Sequence, residues 1–360
     1  MKRVLLGALV LALASPACGD TLRVNQANLV AAVSRAQPGD VIQLPAGEYA
    51  LPPLKRIVKS GRPVIIEPMP GARVVVGPWL IIQSEGITLR GLEFRPLATG
   101  YALQVAQSKR IDVQNGVFEA AEADQEKARG LQIKDSEGVK VTNTRFRHLR
   151  YALMGSNVKD LLVEGNDFRN IYGDAMRGWV NSSNLVIRKN FFTDIYIPTA
   201  SPTHVDAIQF WTVGATAPIT DLLIENNVYQ RGDGDPAQGI FLGNESMTPY
   251  ERVTIRNNAI VGSTWNGIWV VGGKDVTITN NLVQHMKWSQ RHGDEYDRVQ
   301  PRIVVKAIEG GLVEGNTARI AKDPKTSLPK IGKNSDAPVA KFGDYTAQQA
   351  WIRSGGSSLK

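Results

Sequence analysis

The sequence predicts an all-β fold, a single right-handed parallel β-helix with a capping helix at its N-terminal end. Three observations support this fold. A short arm of alternating apolar and polar residues recurs along the chain at steps of roughly two dozen residues, the length of one coil of a solenoid. An asparagine follows most copies of the arm, and an aromatic or aliphatic residue comes after most of those asparagines.

The repeated arm alternates strictly, which is typical of a strand with one buried face. Its copies share an apolar residue at the first and third positions: Ile87-Thr88-Leu89, Ile111-Asp112-Val113, Val139-Lys140-Val141, Leu161-Leu162-Val163, Leu185-Val186-Ile187, Leu222-Leu223-Ile224, Val253-Thr254-Ile255 and Val276-Thr277-Ile278, with Leu312 in a degraded last copy.

The turn residues predict two stacks inside the solenoid. Asparagines in register would bond to each other and to the adjacent backbone: Asn166, Asn190, Asn227, Asn258, Asn281 and Asn316. A row of phenylalanines would fill the core beside them: Phe118, Phe146, Phe168 and Phe192.

The ends of the solenoid need caps, because an open coil exposes unpaired strand edges. Residues Asn28 to Ala36 alternate at helical period, which predicts the N-terminal capping helix. The expected organisation is a signal peptide at 1–19, the β-helix at 20–321 and an irregular tail at 322–360. A short helix is predicted within that tail at 345–353.

The N-terminus is typical of a secretion signal, with Lys2 and Arg3 before an apolar run from Val4 to Ala14 that is too short to span a bilayer. We therefore expect export to the periplasm or the medium, with no membrane attachment after cleavage, and a monomer. The lone Cys18 lies at the cleavage region. The formal net charge of +8 favours a polyanionic partner, and no nucleic-acid-binding motif accompanies it.

The first third of the chain resembles a known family. Leu29-Val30-Ala31-Ala32-Val33, Gln37-Pro38-Gly39-Asp40-Val41-Ile42, Gly47-Glu48-Tyr49 and Gly91-Leu92-Glu93-Phe94 are similar to the opening of β-helix polysaccharide lyases, particularly chondroitinase-B-like and alginate-lyase-like enzymes. The resemblance implies an acidic-polysaccharide substrate. His204-Val205-Asp206 also resembles the His/Asp clusters of β-helix mannuronan C5-epimerases, although their Asp-Pro-His order is absent, as is a clear Lys/Arg motif of chondroitinase-B-like lyases.

A second arm of each coil predicts the face that carries chemistry. Leu131, Met176, Ile208, Ile240 and Ile268 share the inward parity, so their neighbours should face solvent. The predicted outward residues are Gln132, Lys134, Met154, Arg177, Trp179, Gln209, Trp211, Phe241 and Trp269. Outward tryptophans favour stacking on sugar rings, and cover by long loops is the alternative interpretation.

Insertions at Asp194–Val205 and Val283–Pro301 lie on the same side and predict the walls of a groove. Stacking would place Asp174 and Asp206 on adjacent coils, about 4.8 Å apart. Such close carboxylates need a positive charge between them, which Arg177, His204 or a calcium ion would supply. Turn capping is the structural alternative for each aspartate. No cofactor is required by the sequence, and the histidine spacing does not match a zinc site.

The resulting hypothesis is a uronate lyase. Arg177 neutralises the carboxylate, His204 removes the C5 proton, Tyr172 protonates O4, and Asp206 orients His204, while Gln132, Lys134, Gln209, Trp179, Trp211, Phe241 and Trp269 hold the substrate. Three alternatives stay open. They are a C5-epimerase with the same base and arginine, a glycoside hydrolase that uses Asp174 and Asp206, and a non-catalytic binding protein.

Overall fold

The computed structural model describes residues 19–199, 204–287, 300–323, 330–337 and 346. These residues form a parallel β-helix in which each coil adds strands to the same faces. The predicted signal peptide lies outside the described residues apart from Gly19, and so does the predicted C-terminal helix apart from Thr346. Among the described residues, no helix is long and apolar enough to cross a membrane.

The larger of the two described sheets wraps around two faces of the solenoid and has 20 strands, numbered here in chain order. They are β1 (Thr21–Arg23), β2 (Val41–Leu44), β4 (Leu54–Lys55), β5 (Val64–Pro68), β7 (Trp79–Ile82), β8 (Glu85–Arg90), β10 (Tyr101–Ala106), β11 (Lys109–Gln114), β13 (Arg129–Thr142), β15 (Tyr151–Glu164), β17 (Met176–Val180), β18 (Ser183–Arg188), β20 (Asp206–Phe210), β21 (Ile219–Glu225), β23 (Gln238–Leu242), β24 (Tyr250–Arg256), β26 (Asn266–Thr279), β28 (Arg302–Glu314), β29 (Arg319–Lys322) and β30 (Lys330–Ile331).

The smaller described sheet forms the third face and has ten strands. They are β3 (Gly47–Tyr49), β6 (Val74–Val76), β9 (Glu93–Phe94), β12 (Val117–Glu119), β14 (Arg145–Leu149), β16 (Asp167–Ile171), β19 (Phe191–Ile195), β22 (Val228–Gln230), β25 (Ala259–Val261) and β27 (Leu282–Gln284). The pairings between neighbouring coils are parallel, for example between β16 and β19 or between β20 and β23.

Successive coils place apolar residues at equivalent positions of the interior, and in one column these are mostly phenylalanines. Phe94, Phe118, Phe146, Phe168 and Phe192 stack face to face with ring centroids 4.5–4.9 Å apart. This confirms the predicted phenylalanine stack and extends it by Phe94. Tyr229 pairs with Phe192 in the next coil and is also buried.

The predicted asparagine stack is confirmed as a continuous ladder of side-chain amides. Each Nδ2 donates to the Oδ1 of the next asparagine at 2.9–3.0 Å, through Asn166, Asn190, Asn227, Asn258, Asn281 and Asn316. From Asn190 onward each Oδ1 also accepts the backbone N–H of the preceding asparagine, as Asn227 does for Asn190 at 3.0 Å, and Asn166 Oδ1 accepts that of Thr144. The ladder therefore satisfies buried polar groups that the turn would otherwise leave unpaired.

The two ends differ in detail from the predicted boundaries. The capping helix α1 spans Leu29–Arg35, seven residues, after a 3₁₀ turn at Gln26–Asn28; a second 3₁₀ turn spans Glu122–Asp124. Leu29 and Val33 of α1 are buried in the same core as the strands. At the other end, β30 pairs with β28 and Asn316 donates to Asn334 at 2.9 Å. The coil pattern thus continues beyond residue 321.

Replacing one member of the ladder tests its contribution to stability. Asn227→Ala removes an Oδ1 that accepts from Asn190 and an Nδ2 that donates to Asn258 and to the Ile187 carbonyl. Because the substitution leaves buried polar groups unpaired, we expect the free energy of unfolding to fall by at least about 2 kcal/mol. Urea denaturation measures this change. Thr254→Ala, on an outward position of the next coil, is the control and should change stability little. Equal stability of the two variants would contradict a role for the ladder.

Candidate active site

The predicted outward residues of the second arm lie in one row across successive coils. Strand pairing aligns Gln104 with Gln132, then Met154, Arg177, Gln209, Phe241 and Trp269. We call the surface along this row the trench. Sequence reasoning therefore assigned the parity of these strands correctly, and residues more than 100 positions apart in the chain, such as Gln132 and Trp269, share one row. Gln209 differs from the prediction of an exposed substrate-binding residue, because it is only 7% exposed and its Nε2 donates to Asp206.

Trp179 is the exception, and its predicted outward position is wrong. The pairing of β15 with β17 shifts here, so that Gly155 pairs with Gly178 but Ser156 pairs with Val180. The bulge inserts Trp179 as an extra residue with a φ of 76°, and its side chain is 0% exposed. Because a one-residue shift reverses the side-chain direction, the ring enters the core over Gly155, where any side chain would collide with it. Trp179 is therefore not a substrate-binding residue.

The two predicted carboxylates lie side by side at the start of the trench strands. Asp174 Oδ1 accepts the backbone N–H of Asp206 at 3.0 Å, and its Oδ2 accepts from Arg177 Nη1 at 3.0 Å. Asp206 Oδ2 accepts from Gln209 Nε2 at 2.8 Å and lies 3.2 Å from His204 Nδ1. Their side chains are only 3% and 0% exposed. Each carboxyl group thus orients a neighbour of opposite charge.

Burial dominates the protonation of this cluster. It raises the pKa of Asp206, and it raises the pKa of Asp174 together with the repulsion from Asp206, while Arg177 opposes the rise. The hydrogen bond to Asp206 raises the pKa of His204. The side chain of His204 is 46% exposed. With Nδ1 turned to Asp206, Nε2 is the nitrogen that remains to accept a proton from the trench.

Arg177 is held between two aromatic rings. Its guanidinium carbon lies 4.4 Å from the ring centroid of Trp211 and 5.0 Å from that of Tyr151. Its Nη1 also donates to the Tyr151 hydroxyl oxygen at 3.0 Å. Trp211 is 39% exposed, as its predicted outward position requires. The guanidinium is therefore fixed in position at the trench surface.

The tyrosine beside Arg177 differs from the one chosen from the sequence. Tyr172 stacks on Tyr196, one coil further on, with ring centroids 4.9 Å apart. The phenol oxygen that lies 3.0 Å from Arg177 belongs to Tyr151. Tyr151 was missed because it has the parity of the inward Leu153. Tyr151 is the first residue of its strand and pairs with Arg129, the first residue of the strand before it. This position places Tyr151 at the edge of the trench.

Beyond His204 the trench becomes apolar. The rings of His204 and Phe241 have centroids 5.4 Å apart, and Phe241 stacks on Trp269 at 5.9 Å with the ring planes within 7°. We call Phe241 and Trp269 the aromatic platform. Both side chains are half-buried, and they form a continuous apolar surface beside His204.

On the other side of Arg177 the trench is polar. Gln104 Nε2 donates to Gln132 Oε1 at 2.8 Å, and the Tyr101 hydroxyl lies 3.4 Å from Met154 Sδ. Lys134 is exposed, two strands before Arg177. The structure thus places Gln132 and Lys134 along the trench, although on coils before the carboxylate cluster.

The predicted groove walls are described only in part. Before residue 200, Thr199 donates to Glu126 Oε2 from its hydroxyl at 2.7 Å. Residues 200–203 and 288–299 lie outside the described residues, and with them most of the second predicted wall, including Trp288 and His292. His285 is buried, and His148 Nδ1 lies 3.5 Å from Glu119, on a coil corner away from Arg177.

The carboxyl groups that the sequence offered to a calcium ion are engaged with protein groups in this structure. Calcium takes six to eight oxygen ligands, whereas Asp174 is already engaged by Arg177 and by the Asp206 N–H. In the described part of the chain, no group of three or more His, Cys, Asp or Glu residues could hold a metal ion. Positive charge beside the two carboxyl groups comes from Arg177 and, when protonated, from His204.

Three solved structures show the same fold. A GH136 lacto-N-biosidase from Eubacterium ramulus is 11% identical, with a TM-score of 0.52 over 89% of this chain and 68% of that one. A PL6-family alginate lyase is 16% identical, with a TM-score of 0.52 over 89% and 53%. A family 28 exopolygalacturonase from Yersinia enterocolitica is 10% identical, with a TM-score of 0.50 over 89% and 78%. At these identities the similarity concerns the fold alone.

The sequence itself matches no curated protein. It does match a family model, described as a right handed beta helix region, over residues 80–283. That range contains the predicted site residues and more than half of the chain. The protein belongs to the right-handed β-helix family.

Proposed function

We propose that the protein is an exported enzyme that cleaves an acidic polysaccharide beside a uronate by β-elimination. The observation that carries this proposal is the arrangement of three groups on adjacent coils at the trench surface. Tyr151 and Arg177 are in contact, and the His204–Asp206 pair lies on the coil that follows Arg177. A cation, a base and a hydroxyl are the groups that the elimination requires.

Arg177 supplies the cation. The C5 proton of a uronate is weakly acidic until the charge of the adjacent carboxylate is neutralised and the enolate-like transition state is stabilised. The guanidinium is fixed by Asp174, Tyr151 and Trp211, so it does not need to reorganise when charge develops. The guanidinium can bind the substrate carboxylate by donating hydrogen bonds to its oxygens.

His204 supplies the base. Its Nε2 takes the C5 proton, and the electron pair of that bond forms the double bond between C4 and C5. Asp206 holds the ring in one orientation and stabilises the imidazolium that results. This assignment follows the same division of labour between base and orienting carboxylate that is found in nucleophile-activating triads.

Tyr151, rather than Tyr172, supplies the proton for the leaving oxygen. As the C4–O4 bond breaks, O4 takes the phenolic proton and the neighbouring sugar leaves as an alcohol. Tyr151 lies one coil before Arg177 and His204 one coil after it, so the two groups approach the uronate from either side of its carboxylate. Contact with Arg177 would stabilise the phenolate that forms.

The alternatives make different demands on these residues. A glycoside hydrolase needs two carboxyl groups that reach the scissile bond, whereas those of Asp174 and Asp206 are buried and engaged with neighbours. This favours elimination. A C5-epimerase would use the same His204 and Arg177, with Tyr151 returning a proton to C5 instead of O4. The similar structures include an alginate lyase and an exopolygalacturonase beside a lacto-N-biosidase, so this fold accommodates an acidic-polysaccharide substrate without specifying it.

Removal of the cation or the base should abolish turnover. Arg177→Ala and His204→Ala are each expected to lower kcat/KM by at least about 100-fold, since each removes a group that acts in the transition state. The measurement is the ultraviolet absorbance of the unsaturated product on a panel of uronate polymers. Circular dichroism of each variant should match that of the original protein.

His148→Asn is the matched control, because His148 lies on a coil corner away from the trench and asparagine tolerates its positive φ of 52°. It should retain activity. Reducing ends without ultraviolet absorbance would indicate hydrolysis, and solvent deuterium at C5 without cleavage would indicate epimerisation. Full activity of Arg177→Ala or His204→Ala would remove that residue from the mechanism.

The pH dependence should report the His204–Asp206 pair. His204 must be neutral to act as a base, and Asp206 raises its pKa. On the acidic side of the pH profile, kcat/KM should therefore reach half of its maximum at a pH above the usual histidine pKa of about 6.5. Asp206→Asn removes the charge and should move this half-maximal point to lower pH while lowering the maximum. An unchanged half-maximal point in Asp206→Asn would mean that another group controls it.

The two tyrosines can be distinguished by removing one oxygen from each. Tyr151→Phe should lower kcat by about 100-fold, because it deletes the proton donor and keeps the ring beside Arg177. Tyr172→Phe keeps the ring stacked on Tyr196 and should retain most of the activity. Steady-state kinetics on the same polymer provides the comparison. The reverse outcome would return the acid role to Tyr172.

A further inference from the structure

We infer that the trench selects a heteropolymer, in which the uronate at Arg177 is followed on its reducing-end side by a neutral sugar on the aromatic platform. This inference rests on the proposed elimination and specifies its substrate. It comes from the unequal distribution of charge and apolar surface on the two sides of Arg177.

The trench strands of the three coils from Asp206 to Val270 present no cation, and the next cations on the trench side are Arg302 and Lys306 of β28, beyond Trp269. The strand segments Asp206–Phe210, Gln238–Leu242 and Asn266–Val270 contain neither lysine nor arginine. Their outward side chains after Gln209 are the two rings of the platform, Phe241 and Trp269. Between Arg177 and Trp269 the described trench strands therefore offer one guanidinium, then His204, and then apolar surface.

A polymer made only of uronates would meet this surface unfavourably. One sugar unit is about as long as the spacing of about 4.8 Å between coils. The carboxylates of the uronates that follow the one at Arg177 would therefore lie against the platform. A carboxylate that loses water without gaining a cation is strongly disfavoured. A neutral sugar instead covers the rings with its C–H groups, which removes apolar area from water on both partners.

The order of the catalytic groups determines which neighbour occupies the platform. The sugar attached through O4 leaves toward Tyr151, which precedes Arg177 by one coil. The sugar attached through C1 of the uronate then extends in the opposite direction, past His204. Phe241 contacts the His204 ring, so the platform begins where that sugar would lie. It is the sugar on the reducing-end side.

The opposite side of the trench differs in chemistry. Gln104 and Gln132 offer amide groups, and the exposed Lys134 offers a cation. This side can accept either an acidic or a neutral sugar. The selection that we infer therefore acts through the platform alone, and substitutions there should change the preference between polymers more than the chemistry.

A product-resolved comparison of two polymer classes tests the inference. The first class has one uronate per repeat beside a neutral sugar, represented by hyaluronan, chondroitin and exopolysaccharides of that composition. The second consists of uronates only, represented by alginate, polygalacturonate and polyglucuronate. We expect at least one polymer of the first class to have a kcat/KM about tenfold or more above every polymer of the second, the difference that one stacked ring can supply.

Two platform variants sharpen the test. Phe241→Ala should lower kcat/KM on the preferred heteropolymer about tenfold and lower kcat/KM on uronate homopolymers by a smaller factor, so that the ratio between the two classes falls. Trp269→Lys places a cation on the platform, one coil further from His204, and should raise the ratio of homopolymer to heteropolymer turnover. Leu223→Ala, a half-buried outward residue on the neighbouring face, is the matched control and should change neither.

The outcomes separate this inference from the proposed function. Elimination that proceeds on uronate homopolymers as well as on heteropolymers, with a ratio that Trp269→Lys does not change, would overturn the heteropolymer preference and leave the lyase intact. Elimination on none of the polymers would overturn the proposed function itself. A preserved ratio in Leu223→Ala together with a changed ratio in Trp269→Lys supports the platform as the selective element.

Discussion

The stacking of one coil on the next, in fixed register, is the interaction on which the rest of the structure depends. Parallel pairing brings equivalent positions of successive coils to the spacing of a β-sheet. The asparagine ladder fixes that register inside the solenoid, because each side-chain amide donates to one neighbouring coil and accepts from the other. A slip by one residue would break every amide contact and reverse every side chain. The ladder thus specifies alignment as well as stability.

The candidate site follows directly from this alignment. Tyr151, Arg177 and His204 are separated by more than 20 residues along the chain at each step, and the coils make them neighbours. The two buried aspartates hold Arg177 and His204 in place, so the groups that face the trench are supported from below. Pairing a buried acid with a partly exposed base or cation provides orientation and charge balance at the same time.

The regular part of the molecule was predictable from the sequence, because alternation and the asparagine repeat report directly on buried and exposed faces. The outward row and the grouping of Asp174, Arg177, His204 and Asp206 followed from that periodicity. Trp179 was not predictable, since a bulge changes parity without leaving a trace in composition. Tyr151 was not predicted because its position at a strand end, rather than its parity, brings its hydroxyl to Arg177.

The bulge at Trp179 also explains how such a site arises in a repeating scaffold. In a regular coil this tryptophan would stand between Ser156 and Trp211 on the outer surface, against the guanidinium. Its removal to the interior leaves Trp211 free to lie across Arg177. A single inserted residue therefore converts a uniform solenoid surface into a specialised one.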